Sequence, residues 1–142
     1  MASIINADTS NGLKLTSDTS GEIELQSNGT TKLTINSSGV VGAGLSWQSS
    51  IVTASTLTAV GNRGYWINTT SNTCTITLPA SATVGDRLVF TDYARTWGTN
   101  KIVLDSNGLN YQGSPDTMTV EYSTNGQSID IVYSGATQGW IP

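Results

Sequence analysis

Histidine is absent from this chain. That removes Ser-His-Asp and Cys-His nucleophile activation and the commonest zinc sites. Cys74 is the single cysteine, so no intrachain disulfide can form. Charge is scarce: charged residues make up 11% of the chain, against about 25% in ordinary soluble domains. Thr, Ser, Asn and Gly fill the deficit. A neutral, hydroxyl-rich surface suits strands, turns and exposure outside cells. Regular alternation, described below, argues against disorder. The positive side chains Lys14, Lys32, Arg63, Arg87, Arg95 and Lys101 are scattered, and the net charge is −4. Binding a phosphate backbone requires a concentrated positive patch, so nucleic acid is not an expected partner. No apolar run reaches the length of a membrane span, and no membrane insertion is expected. Met1-Ala2-Ser3-Ile4-Ile5 lacks the basic flank and apolar core of a signal peptide. Synthesis in a cytoplasm, without a secretion address, is the expectation.

Aromatic residues are absent before Trp47. What that first third does contain is a ten-residue register. Leu13-Lys14-Leu15, Ile23-Glu24-Leu25 and Leu33-Thr34-Ile35 are apolar-polar-apolar triplets separated by turn formers such as Gln26-Ser27-Asn28-Gly29-Thr30. Side chains alternate along a strand, so each triplet sends two aliphatics to one face. A repeat this thin leaves one side of a lone copy wet. Strands from identical chains around a shared axis would cover both aliphatics. Leu13, Leu15, Ile23, Leu25, Leu33 and Ile35 are therefore the expected oligomerisation residues of a stem that folds within an oligomer, a trimer above all.

Three segments follow. Residues 1–45 hold a short lead and the stem. Residues 46–57 have no convincing period and read as a connector. Residues 58–142 carry most of the large side chains. Strands are expected from 57 onward at 57–60, 64–69, 73–78, 86–92, 100–105, 117–122, 127–133 and 138–142. Ile129, Ile131 and Tyr133 alternate against Ser128, Asp130 and Val132, and Met118, Val120 and Tyr122 against Thr117, Thr119 and Glu121. Asn107-Gly108 and Asn125-Gly126 favour tight hairpins because both residues tolerate positive φ. Pro79 and Pro115 close strand ends, since proline lacks the N–H of a central ladder. No window has a helical period. The expected fold is all-β: an intertwined N-terminal stem followed by a C-terminal β-sandwich or jelly-roll knob.

The knob also carries a resemblance. Its stretches are Thr58-Ala59-Val60, Gly64-Tyr65-Trp66-Ile67-Asn68, Ile76-Thr77-Leu78-Pro79-Ala80 and Val84-Gly85-Asp86. They continue with Phe90-Thr91-Asp92-Tyr93, Thr99-Asn100-Lys101-Ile102, Gln112-Gly113 and Thr137-Gln138-Gly139-Trp140-Ile141. Together they resemble a C-terminal domain of fibre and surface proteins of tailed bacteriophages, especially phages of marine bacteria. Leu33-Thr34-Ile35-Asn36-Ser37-Ser38-Gly39 resembles segments common in such fibres. The resemblance implies a homotrimeric accessory protein of the particle. At this length, a stubby fibre, a knob or a capsid decoration fits. The N-terminus would then dock on other virion proteins, and the knob would face outward on the virion surface. Two roles stay open, an adhesin that contacts the host and an architectural cement or joint that stabilises the particle.

Four tryptophans, Trp47, Trp66, Trp97 and Trp140, raise the question of a host-surface glycan, because sugar rings stack on indole faces. Trp66 and Trp140 lie in expected strands and read as packing residues; Trp47 reads as seating the connector. Trp97 lies among polar residues in 92–100, so Tyr93, Arg95, Trp97 and Asn100 are the expected ligand contacts. Cys74 shares an alternation face with Ile76 and Leu78 and reads as a buried small hydrophobe; a reactive thiol is the alternative. Asp105-Ser106-Asn107-Gly108-Leu109-Asn110-Tyr111 has calcium-loop composition but lacks the spaced carboxylates and terminal Glu, so it reads as a hairpin turn, as does Asp8-Thr9-Ser10-Asn11-Gly12. No metal or other cofactor is expected. Glycoside cleavage needs two carboxylates across a sugar, and nothing pairs any two of Asp86, Asp92, Asp105, Asp116, Glu121 and Asp130. A polysaccharide depolymerase is accordingly the least favoured reading, and the expectation is that the protein is not an enzyme.

Overall fold

A computed structural model describes residues 23–36, 39–41, 45–116 and 119–142. The described residues are all-β, with no helix among them. The chain divides into two compact units, Met1–Gly44 and Leu45–Pro142.

In the first unit, β1 (Ile23–Ser27), β2 (Thr30–Asn36) and β3 (Gly39–Val41) form an antiparallel sheet in sequence order. Asn28 (φ 51°) and Gly29 (φ 71°) make the two-residue turn between β1 and β2. Both central φ values are positive, as a turn matching the strand twist demands. Ile23 then faces Ile35, and Leu25 faces Leu33. Directly opposed residues share a face, so two of the triplets meet as cross-strand aliphatic pairs. These couplets thus pair with each other inside a single chain. Pairing does not cover them. Leu25 is 44% exposed and Ile35 38%. Leu13 and Leu15, and the turn expected at residues 8–12, lie outside the described residues.

The second unit has two sheets around one core. The five-stranded sheet has the order β12-β11-β8-β6-β4. Its strands are β4 (Ser46–Trp47), β6 (Arg63–Ile67), β8 (Arg87–Asp92), β11 (Ser128–Tyr133) and β12 (Trp140–Ile141). The four-stranded sheet has the order β10-β9-β7-β5. It contains β5 (Thr56–Thr58), β7 (Cys74–Thr77), β9 (Ile102–Asp105) and β10 (Val120–Tyr122). Each strand expected from residue 57 onward has its counterpart here, most of them shortened, with β5 and β6 beginning one residue early; residues 117–118 lie outside the described residues.

Alternation places the core. Tyr65, Ile67, Leu88, Phe90, Ile129, Ile131 and Trp140 from one sheet meet Cys74, Ile76, Ile102 and Leu104 from the other in one buried cluster. Burial alternates in step: Cys74 and Ile76 are buried while Thr75 and Thr77 are partly exposed. Ile129, Ile131 and Tyr133 are buried while Ser128 and Asp130 are exposed.

Strand direction departs from expectation. A jelly roll is built of antiparallel strands. Here β4, β6 and β8 run parallel, as do β5, β7 and β9. From β4 to β9 the chain alternates between the two sheets, so each return to a sheet repeats the earlier direction. The crossover that parallel pairing requires is supplied by a strand of the opposite sheet. Only β10, β11 and β12 add antiparallel partners.

Candidate functional site

Asp92, at the end of β8, shapes the loop that the sequence singled out. It is 5% exposed. Its carboxylate accepts N–H bonds from Thr96 (3.0 Å), Trp97 (3.1 Å) and Gly126 (2.9 Å). A carboxylate holding backbone donors from two segments doubles the chain back on itself. The consequence is that Trp97 turns inward and is 0% exposed. Its indole is closed to a ligand, which corrects the expected stacking role. Asn100 is also structural: its amide donates to the carbonyls of Thr69 (2.9 Å) and Thr70 (3.3 Å). Tyr93 and Arg95 remain exposed, and Arg95 (φ 58°) lies over Gly126. The four expected contacts thus do not share one accessible surface.

Accessible indole lies elsewhere, on the outward face of the five-stranded sheet. Tyr65 and Ile67 point into the core, so Trp66 between them must point out. Trp47, on edge strand β4, is the parallel partner of Gly64. The Trp47 and Trp66 rings stack with centroids 4.1 Å apart and planes 20° apart. Gly64 makes this possible: a Cβ there would sit 2.6 Å from a Trp47 ring carbon. Trp47 is 43% exposed. The sheet register continues the surface, because Trp66 pairs with Thr91 and Thr91 with Ser128. The Thr91 and Ser128 hydroxyls are 2.8 Å apart. In the adjoining rows lie Arg87 and Asp130, where Arg87 Nε donates to Asp130 over 2.8 Å and a second guanidinium N–H completes the fork. The Arg87 guanidinium holds the Asp130 carboxyl below its ordinary range. Both side chains are about half exposed. Sequence reasoning set Trp47 aside as a connector residue. The Gly64-Tyr65-Trp66-Ile67 alternation was the signal that could have found its partner.

Several other ionisable groups among the described residues are held by the fold. Asp86 accepts from Thr83 N–H and from the Asn62 amide. Asp105 accepts from Asn107 N–H at 2.9 Å, within a turn closed by Leu109 N–H on Ser106 O. The Ser106 hydroxyl and the amides of Gly108 and Asn107 hold the Asp116 carboxyl below its ordinary range. Glu121 pairs with Lys101 at 2.6 Å. It borders a shallow cleft of about 370 Å³ lined also by Tyr111, Gln112, Thr119 and Tyr122. There the Tyr111 and Tyr122 hydroxyls are 2.5 Å apart. Burial first, and that bond second, push the Tyr111 phenol far above its ordinary value. Cys74 is fully buried, and burial raises its thiol to about 11, which keeps it protonated and poorly nucleophilic near neutrality. Among the described residues no group of three His, Cys, Asp or Glu side chains is placed to hold a metal ion. No described helix is long and apolar enough to cross a membrane.

No family model and no curated protein matches this chain.

Proposed function

We propose that this chain is a structural protein of the surface of a tailed-bacteriophage particle. It forms a short homotrimeric fibre or capsid decoration. The N-terminal unit intertwines with its copies as a stem and docks on the particle, and the C-terminal two-sheet unit faces outward and contributes to host attachment. The role is mechanical and multivalent rather than catalytic: three identical knobs turn weak contacts into avidity when their spacing matches the target.

One observation carries the reading. Among the described residues, the aliphatic face of the β1–β2 hairpin stays partly open after its strands have paired, with Leu25 44% and Ile35 38% exposed. Copies of the same hairpin around an axis cover such a face. The knob needs no such help, because its core residues all come from residue 52 onward. Sedimentation of the purified chain at micromolar concentration is expected to give three times the chain mass. Antibody against the knob is expected to decorate the outside of intact particles in micrographs. A monomer in the first experiment, or bare particles in the second, overturns the proposal.

A further inference from the structure

We infer that the outward face of the five-stranded sheet binds a neutral hexopyranose on the free face of Trp47, which is backed by its stack on Trp66, with Thr91 and Ser128 as the hydrogen-bonding rim. This deepens the host-attachment part of the proposed function, because it names the surface and the ligand chemistry.

Trp47 is exposed, and its stacking partner Trp66 is partly buried. Large apolar rings left half in water are normally covered. Trp47 is 43% exposed although it is already stacked on Trp66 at 4.1 Å. The close approach of Gly64 fixes its place on the sheet. An indole held in this way loses little further freedom on binding. Its π face is negative, and a sugar ring presents a face of weakly positive C–H bonds to it. What surrounds the rings decides between a sugar and a protein partner. The row running from Trp66 continues as two hydroxyls, Thr91 and Ser128, one and two strands away, or about 5 and 10 Å. The two hydroxyls share a bond at 2.8 Å and Ser128 also donates to the Phe90 carbonyl at 3.4 Å, yet both oxygens keep a lone pair that can accept from a sugar hydroxyl. That matches the ring of hydroxyls around a pyranose. The neighbouring Arg87–Asp130 pair is half exposed. Cores of protein interfaces are depleted of charged residues, which argues against a second protein here. The pair also cancels its own charge, so a neutral sugar fits better than an anionic one. Trp97, the residue that polar neighbours brought to notice, takes no part because it is buried.

The test uses the full chain and four probes: cellotetraose, maltotetraose, chitotetraose and β-1,4-galactotetraose. Two of the four tryptophans, Trp97 and Trp140, are fully buried, so a sugar-induced change in indole emission reports on Trp47 and Trp66. At least one probe is expected to shift and saturate the emission. Trp47→Ala is expected to weaken that probe's binding about tenfold, and Trp47→Phe to restore part of the loss. Thermal unfolding of each variant shows that the knob is intact. Trp47 lies at a sheet edge outside the core cluster, so its removal loses the stack on Trp66 and is expected to lower the midpoint by a few degrees while leaving one cooperative transition. Silence from all four probes, or unaltered binding by Trp47→Ala, overturns the inference. A drop in sedimenting mass on Trp47→Ala, with no sugar response in the parent chain, reassigns the pair to an interface between copies and overturns it too. These outcomes are separable from the fate of the virion reading. A monomer that binds sugar defeats the trimer alone, and a trimer on particles that ignores sugar defeats the platform alone.

Discussion

Gly139 lies directly against the backbone of Asn110: a Cβ on Gly139 would stand 1.7 Å from the Asn110 carbonyl oxygen. That same carbonyl accepts the N–H of Trp140 at 2.9 Å. The contact seats the terminal strand and with it Trp140, which packs edge-on against Tyr133 with centroids 5.5 Å apart. Gly139 also has φ +70°, so alanine there meets both backbone strain and a collision with main chain that cannot swing aside. Gly139→Ala is expected to lower stability by about 3 kcal/mol or more. Gly85 is the control. Its φ is +98°, with nothing within 4 Å of an added Cβ, so Gly85→Ala is expected to cost only about 1–2 kcal/mol. Urea unfolding of both variants, followed by tryptophan emission, checks the difference. Equal costs would show that the Asn110 contact relaxes freely.

Asp92 gathers three N–H donors from Thr96, Trp97 and Gly126. Asp92→Asn keeps the shape but replaces one acceptor oxygen with an NH₂ group that faces donors. A lost bond to a charged acceptor, together with a stranded donor, is expected to cost about 2–3 kcal/mol. Because the loop holds Trp97 in the core, acrylamide is expected to quench more of the variant's emission. A variant as stable and as protected as the parent would mean that the loop is held by packing alone.

How much of this was legible follows from what alternation records. Ile129, Ile131 and Tyr133 show which face is buried, and the structure buries that face. Alternation is blind to direction, however. Cys74-Thr75-Ile76-Thr77 reads the same whether β7 runs with β9 or against it, and it runs with it. The turns misled in the same way. Asn28-Gly29 closes a hairpin, but Asn125-Gly126 carries the chain from one sheet to the other. Local positive φ is common to both uses. Trp97 was misread because its polar neighbours suggest an exposed loop. Asp92 is one of those neighbours, and it is the residue that turns the loop inward. Two of its bonds, from Thr96 and Trp97, are local and were open to a sequence reading of Asp92 as a loop-capping acceptor; the third, from Gly126, comes from more than thirty positions away and leaves no local pattern.

Cys74 gives stability a pH dependence of definite sign. Burial raises its thiol from the ordinary 9.0 to about 11. Below about pH 9 the thiol is protonated folded or unfolded, and the buried neutral group contributes fully. Above that, the unfolded chain gives up its proton and the folded chain does not, so stability falls as pH rises toward 11. Between about pH 9 and 10 the loss is expected to reach roughly 1 kcal/mol. Beyond about pH 10 the raised Tyr111 phenol adds a loss of the same sign. Cys74→Ala, less stable throughout from lost packing, is expected to be flatter over the pH 9–10 interval. Parallel slopes for parent and variant would remove the thiol as the cause.

The partly open hairpin face gives the proposed stem its own test. Leu25 and Ile35 lie on the same face as Ile23 and Leu33, while Glu24 and Thr34 pair on the other. A lysine at position 25 places a charge where copies are proposed to meet, and burying an unpaired charge costs far more than one aliphatic contact returns. Leu25→Lys is therefore expected to convert a trimer to monomers at micromolar concentration. Glu24→Lys changes charge on the opposite face of the same hairpin and is expected to leave the mass unaltered. The knob's thermal midpoint should be indifferent to both, because its core lies wholly within the second unit. A Leu25→Lys chain that stays trimeric would place the assembling surface elsewhere, and equal dissociation by both lysines would mean that charge, not the aliphatic face, decides the association.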